Sequence, residues 1–149
     1  MAVSNPIAKV IQKLTVPGKN VLAADESTNT VTKRLQDKGI EPTGENIRAY
    51  REWIVTTPGL ERYVSGIILF KETLEQADSQ GKPFVETLQE KGIVIGVKSD
   101  EGLYKPASWG ENISQMATPS KLKDALQQYK EKHGVEFTKF RSEFTIGPN

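Results

Sequence analysis

The chain has 149 residues, 36% hydrophobic and 26% charged, with a formal net charge of +1, which suits one soluble globular domain. So small a net charge gives no electrostatic reason to expect DNA, RNA or an anionic membrane as partner. The chain contains no cysteine, excluding a disulfide framework, a thiolate nucleophile and a thiolate metal site.

A zinc site is not expected either, because His133 is the single histidine. It stands between Lys132 and Gly134 and reads as a solvated or C-capping residue. No apolar run approaches the roughly 20 residues that span a bilayer. The N-terminus carries no signal-peptide apolar core, so a cytoplasmic location is expected.

In chain order, Asn5 to Leu14 carries Ile7, Val10, Ile11 and Leu14 at the spacing of one face of an amphipathic helix, ended by Pro17-Gly18. Val21 to Ala24 is a short apolar run that reads as a strand buried on both faces. At its end sit Asp25, Glu26, Ser27 and Thr28, and a helical pattern runs from Thr30 to Lys38, stopped by Gly39. A buried strand that ends in a carboxylate and hydroxyls before a helix is how an α/β protein presents chemistry.

A second helix is predicted from Thr43 to about Thr57, with Ile47, Tyr50 and Ile54 on one stripe. The second strand, Ser65 to Phe70, ends in Lys71 and Glu72, which read as solvated. Pro83 fits a first helical position, with Phe84, Val85 and Leu88 as apolar contacts and Gly92 as the stop. The third strand, Ile93 to Val97, ends in Lys98, Ser99, Asp100 and Glu101, of which Glu101 also reads as solvated. Gly102 to Ala117 lacks periodicity and is assigned as loop. Thr118-Pro119 opens a helix bearing Leu122, Ala125, Leu126 and Tyr129. The last strand, Val135 to Phe144, puts Phe137, Lys139 and Arg141 on one face.

Strands separated by helices imply parallel pairing with right-handed crossovers. Either an open doubly wound sheet or part of a (β/α)₈ barrel fits. Neither G-x-G-x-x-G nor G-x-x-x-x-G-K occurs, so the phosphate-cradling glycine patterns of the open folds are missing. A complete barrel takes about 250 residues, so this chain can supply about half of one, as a single incomplete domain over residues 1–149. Such a half exposes two sheet edges and an apolar face, and self-association is expected.

The strand ends gather Asp25, Lys98, Lys139 and Arg141, with Ser27 and Thr30 in the first loop. In a barrel these positions share one mouth. Several cations beside one carboxylate and hydroxyls suit a small anionic substrate such as a sugar phosphate. Burying Lys139 and Arg141 unpaired is costly, so they call for Asp25 or an anionic ligand. Ser27 and Thr30 serve equally well as helix caps.

L-A-A-D-E-S-T at Leu22 to Thr28, K-R-L at Lys33 to Leu35 and G-I-I-L-F-K-E-T-L at Gly66 to Leu74 resemble class I fructose-bisphosphate aldolase. So do G-K-P-F at Gly81 to Phe84, K-G-I-V-I-G-V-K at Lys91 to Lys98 and F-T-K-F-R at Phe137 to Arg141. The match runs in order from Val16 onward. It implies the N-terminal half of a TIM barrel and a metal-free, cofactor-free lyase of glycolysis. The implied reaction cleaves fructose 1,6-bisphosphate to dihydroxyacetone phosphate and glyceraldehyde 3-phosphate through a lysine Schiff base.

By the same resemblance, Asp25 handles a substrate hydroxyl and orients the active-site lysines, while Lys139 and Arg141 assist carbinolamine chemistry and charge balance. Ser27, Thr30 and Lys98 fall at a substrate phosphate site, and Arg34 at closure over the substrate. The chain departs from the family pattern at Asn29, Thr30, Glu101 and Phe140, where glycine, serine, lysine and tryptophan are usual. The family's Schiff-base lysine, its glutamate acid/base pair and its second phosphate site lie on later strands, so these residues alone are expected to be inactive. The expected partners are fructose 1,6-bisphosphate and either the missing C-terminal half or another copy. A non-catalytic half barrel that binds sugar phosphates is the alternative, and a third reading makes Lys139 itself a Schiff-base nucleophile.

Overall fold

A computed structural model describes residues 5–100 and 119–141. Its helices start where the local chemistry satisfies their free N–H groups. The first, α1 (Pro6–Leu14), begins with Pro6 and is capped by Asn5, whose side chain accepts from the Ile7 N–H at 3.0 Å. The first strand, β1 (Asn20–Ala24), leads into α2 (Thr28–Gln36). That helix starts earlier than the apolar pattern predicts, because Ser27 is its N-cap and accepts from the Thr30 N–H at 3.3 Å. Thr43 caps α3 (Gly44–Thr56) in the same way at 3.1 Å.

Next come β2 (Val64–Leu69), α4 (Phe84–Glu90) and β3 (Val94–Lys98). Pro83 is the cap of α4 rather than its first residue. The last two elements are α5 (Pro119–His133) and β4 (Phe137–Lys139). Gly134 closes α5 with φ +67°, a left-handed conformation that favours glycine. Of the expected strand over Val135 to Phe144, the described part is strand at Phe137–Lys139. Residues 142–144 and the assigned loop over 102–117, with Glu101, lie outside the described residues.

The four strands among the described residues are parallel, in the order β1-β2-β3-β4. Ala24 pairs with Leu69, Leu69 with Val97, and Lys98 with Lys139, so the C-terminal ends of the strands are level. On one face of the sheet, Ala24, Ile67, Leu69, Ile95 and Val97 pack with Val55 of α3 and with Phe84 and Leu88 of α4. Leu126 and Tyr129 of α5 join this core. A smaller cluster of Val31, Leu35 and Ile47, with Tyr50 beside it, holds α2 to α3.

The other face carries Gly66, Gly96, Phe137 and Lys139. A Cβ at Gly96 would lie 2.4 Å from the Phe137 ring, and one at Gly66 would lie 2.4 Å from Leu14. The two glycines thus make room for an aromatic ring and for α1, which crosses near the N-terminal ends of the strands. The Ser65 hydroxyl donates to the Leu14 carbonyl at 2.7 Å and holds α1 there.

Two expectations from the sequence need correction. β1 is not buried on both faces: only Ala24 is buried, and Val21 is 40% exposed. The reason is that Val21 and Ala23 alternate onto the face away from α3 and α4, while Leu22 and Ala24 face the helices, and among the described residues β1 has a strand neighbour in β2 alone. His133 is neither solvated nor merely a cap. It is 6% exposed, and its Nε2 lies 2.9 Å from Glu75 Oε1, in the turn after β2. Lys132 binds the same carboxylate at 2.7 Å.

Candidate functional site

The level strand ends place Ala23 and Asp25 from β1 and its loop opposite Lys98 of β3 and Lys139 and Arg141 of β4 and beyond. With Glu26, Ser27, Thr30 and Arg34 they line an open cavity of about 430 Å³. All seven residues singled out from the sequence, Asp25, Ser27, Thr30, Arg34, Lys98, Lys139 and Arg141, border this one space. Period-two alternation explains the clustering: Ala23 and Asp25, Lys98, and Phe137 and Lys139 fall on the face away from the helices.

Asp25 is 7% exposed. A carboxylate so buried needs a partner, and Lys139 Nζ donates to both its oxygens, at 3.0 and 2.8 Å. Lys98 lies 3.4 Å from Asp100, whose side chain is buried. The β3 and β4 ends are fastened together beside these lysines, since the Ser99 N–H donates to the Lys139 carbonyl at 3.0 Å. The Ser99 hydroxyl also lies 3.1 Å from that of Thr138.

On the β1 side, Ser27 does two things. It caps α2, and its hydroxyl lies 3.0 Å from the Thr30 hydroxyl, so both side chains face the cavity at the positive end of a helix. For Ser27, capping and lining the cavity are therefore not alternatives, whereas Thr30 lies within the first turn of α2 and is not its cap. Thr28, one residue on, donates instead to Glu72 at 2.8 Å. Glu72 is exposed as expected, although it accepts this hydrogen bond.

Arg34 reaches back from α2 to Glu26 and to the Tyr50 hydroxyl, the latter at 2.7 Å. The Tyr50 hydrogen bond, then the one to Glu26, raise the Arg34 pKa, so it stays charged. For Glu26, burial alone pushes the carboxyl up. Its backbone hydrogen bond, the Arg34 hydrogen bond and the charges of Arg34 and Arg51 outweigh that and hold it below the usual carboxylate range.

Glu26, Tyr50, Arg51 and Asp100 went unrecognised in the sequence. The signal for Arg51 was its spacing. Ile47, Arg51 and Val55 form the fully buried stripe of α3, while Tyr50 is only half-buried. An arginine at a core position of an amphipathic helix calls for buried acceptors.

Chemically, the cavity offers cationic donors, two hydroxyls and one buried carboxylate. Three of its cations, Arg34, Lys98 and Lys139, already face a carboxylate, so an incoming oxyanion would share or replace those partners. Among the described residues, no group of three or more His, Asp or Glu side chains is placed to hold a metal ion. No helix among them is long and apolar enough to cross a membrane.

Comparison with known proteins agrees with this geometry. The chain is 44% identical over 144 residues to a fructose-bisphosphate aldolase of Drosophila melanogaster, covering 96% of this chain and 39% of that enzyme. It is 43% identical over 146 residues to the cytoplasmic isozyme 1 of fructose-bisphosphate aldolase from Pisum sativum, covering 98% and 40%. The fold matches the Plasmodium falciparum fructose-bisphosphate aldolase solved in complex with TRAP and a small-molecule inhibitor. That match has a TM-score of 0.83 and 39% identity, over 91% of this chain and 39% of that one. The chain thus spans about two fifths of the length of these relatives, and its sheet and helices are a partial TIM barrel. The family model described as class-I fructose-bisphosphate aldolase matches residues 6–149, and the chain therefore belongs to that family.

Proposed function

We propose that these residues form the part of an aldolase site that holds a sugar phosphate. Joined to the strands that would follow, they would belong to a lyase that cleaves fructose 1,6-bisphosphate through a lysine Schiff base, in cytoplasmic glycolysis. The single observation that carries the reading is the convergence of Asp25, Ser27, Thr30, Arg34, Lys98, Lys139 and Arg141 on one cavity. In this reading the α2 N-terminus, Ser27, Thr30 and the nearby cations take the phosphate oxygens. Asp25 and Lys139 face the hydroxyl and carbonyl end of the ligand, with Arg141 balancing charge beside them.

Carbon–carbon cleavage needs an amine that forms an iminium with the ketose and so becomes an electron sink. By family resemblance that lysine lies on a later strand, outside these 149 residues. The 149 residues by themselves are therefore expected to bind the ligand without turning it over. The expected partner is the complementary C-terminal half, or a second copy whose strand edges stand in for it. A purely non-catalytic, self-associating half barrel that binds sugar phosphates is the second reading, favoured by the exposed Val21 and Phe140 on and beside the outer strands.

The test is fructose 1,6-bisphosphate cleavage by the purified chain, with and without the C-terminal half of a relative. Cleavage only on complementation supports the aldolase reading. Binding without cleavage in both arms supports the non-catalytic one. Cleavage by the chain alone overturns both and points to a lysine of this half as the nucleophile.

A further inference from the structure

The β1–α2 turn carries Asp25 and Ser27 and leads into Thr30 on the first turn of α2, yet it is a loop, and a loop positions ligands only as well as it is held. What holds this one comes from outside it. Arg51, on the third turn of α3, is 3% exposed and lies on the helix-covered face of the sheet. Its guanidinium reaches around the end of β1. Nη1 donates to the Ala24 carbonyl at 3.2 Å and to Glu26 Oε2 at 3.1 Å, and Nη2 donates to the Glu26 carbonyl.

Those acceptors have a specific meaning for the backbone. The Ala24 carbonyl belongs to the peptide plane that enters Asp25, and the Glu26 carbonyl to the plane that enters Ser27. Fixing the planes at either end of the Asp25–Glu26 pair restrains the φ and ψ angles between them, the only soft angles through which this stretch of chain can turn. One side chain thus sets the direction of the carboxylate that Lys139 binds and of the hydroxyl that caps α2. Tyr50 completes the frame: its hydroxyl donates to Glu26 at 3.2 Å, and its ring lies 5.7 Å from the Arg51 guanidinium.

We infer that Arg51 is a positioning residue for the anion-binding cavity, clamping the β1–α2 turn from behind so that Asp25, Ser27 and Thr30 present one preorganised surface. The inference rests on the reading of that cavity as a phosphate site. Lysine cannot replace arginine here. Three acceptors diverge around the planar fork, whereas an ammonium is a single point of charge on a flexible stem. A role in general stability is the competing explanation, and it would not single out this turn.

The experiment compares the wild-type chain with Arg51→Lys and with Val55→Ala, which trims the same buried stripe of α3 in the sheet-facing core, away from the cluster that holds α2. Two readouts are taken: amide hydrogen exchange at Thr30 and Val31, whose N–H groups bond to Ser27, and the dissociation constant for fructose 1,6-bisphosphate by NMR titration. In Arg51→Lys, exchange at Thr30 and Val31 should accelerate on the order of tenfold relative to β2 amides, and ligand binding should weaken by a similar factor. Val55→Ala should leave both ratios near wild type. Uniform acceleration across the chain, or equal effects in the two variants, would reduce Arg51 to an ordinary core residue and overturn the inference. Wild-type binding with unchanged affinity in Arg51→Lys overturns it while leaving the phosphate reading intact. Absence of binding by the wild-type chain instead overturns the phosphate reading, and the clamp's stated purpose with it.

Discussion

Lys139 and Asp25 meet although they stand on the first and last strands of a four-stranded sheet, 114 positions apart in sequence. Neighbouring strands lie about 4.8 Å apart, so in a flat sheet these two would be separated by roughly 14 Å. The long lysine side chain spans part of that distance, and the curl of the sheet, as in a barrel wall, closes the rest to a contact at 2.8 Å.

Removing the amine by Lys139→Met leaves Asp25 buried without its charged donor. Lys139 itself is partly exposed, so solvent offsets some of the loss, and the expected destabilisation is about 1–2 kcal/mol. Adding Asp25→Asn to that variant removes the orphaned charge and should recover part of it. Urea denaturation of the two single variants and the double variant measures the coupling. Strictly additive losses would show that the pair contributes no coupling energy.

Glu26 makes the β1–α2 turn sensitive to acid. Its folded pKa lies below the usual 4.5, so its stabilisation is complete above that value and is lost as pH falls through the lower folded value. Glu26→Gln should be less stable than wild type near neutrality, because Arg51 loses its buried counter-charge. That difference should shrink as pH falls below 4.5 and through the lower folded value. Urea midpoints taken across the range decide the matter: a gap constant with pH would remove Glu26 from the acid response.

Gly96→Ala puts a methyl group within 2.4 to 2.6 Å of three Phe137 ring atoms. The ring must move, and with it the strand that carries Lys139. A loss of about 1–3 kcal/mol is expected from such overpacking. Phe137→Leu introduced alongside should recover some of it by relieving the contact. Thermal melts of the three variants check this, and an unchanged melting temperature for Gly96→Ala would show that the ring has an alternative seat.

Ser27 separates capping from binding. Ser27→Ala should destabilise the chain by about 1 kcal/mol, and Ser27→Gly by only a few tenths, because glycine is tolerated as an N-cap. Both lack the hydroxyl that faces the cavity, so both should weaken fructose 1,6-bisphosphate binding alike. Melting and ligand titration on the same samples distinguish the two effects. Affinity that tracks stability would make Ser27 a cap only.

Much of this architecture was legible in the residues because local rules govern it. Apolar runs of four to six residues ending in charge marked the strands, and Pro–Gly breaks marked the connections. Period-two alternation alone put Phe137, Lys139 and Arg141 on one face, and the strand ends with the first loop named six of the cavity residues, while Arg34 came from the family resemblance. What the sequence could not decide was how far each element would be covered. The run at Val21 looks like a strand buried on both faces, yet burial depends on neighbours, and β1 has one neighbour among the described residues. His133 sits in a polar helix end, and only the turn after β2 brings Glu75 to it. Arg51 reads as one charge among several on α3 until the fold sets the backbone of β1 against it. Two of its three acceptors are carbonyl groups, and a carbonyl leaves no mark in a sequence: every residue has one, and only tertiary packing decides which are turned toward a buried cation.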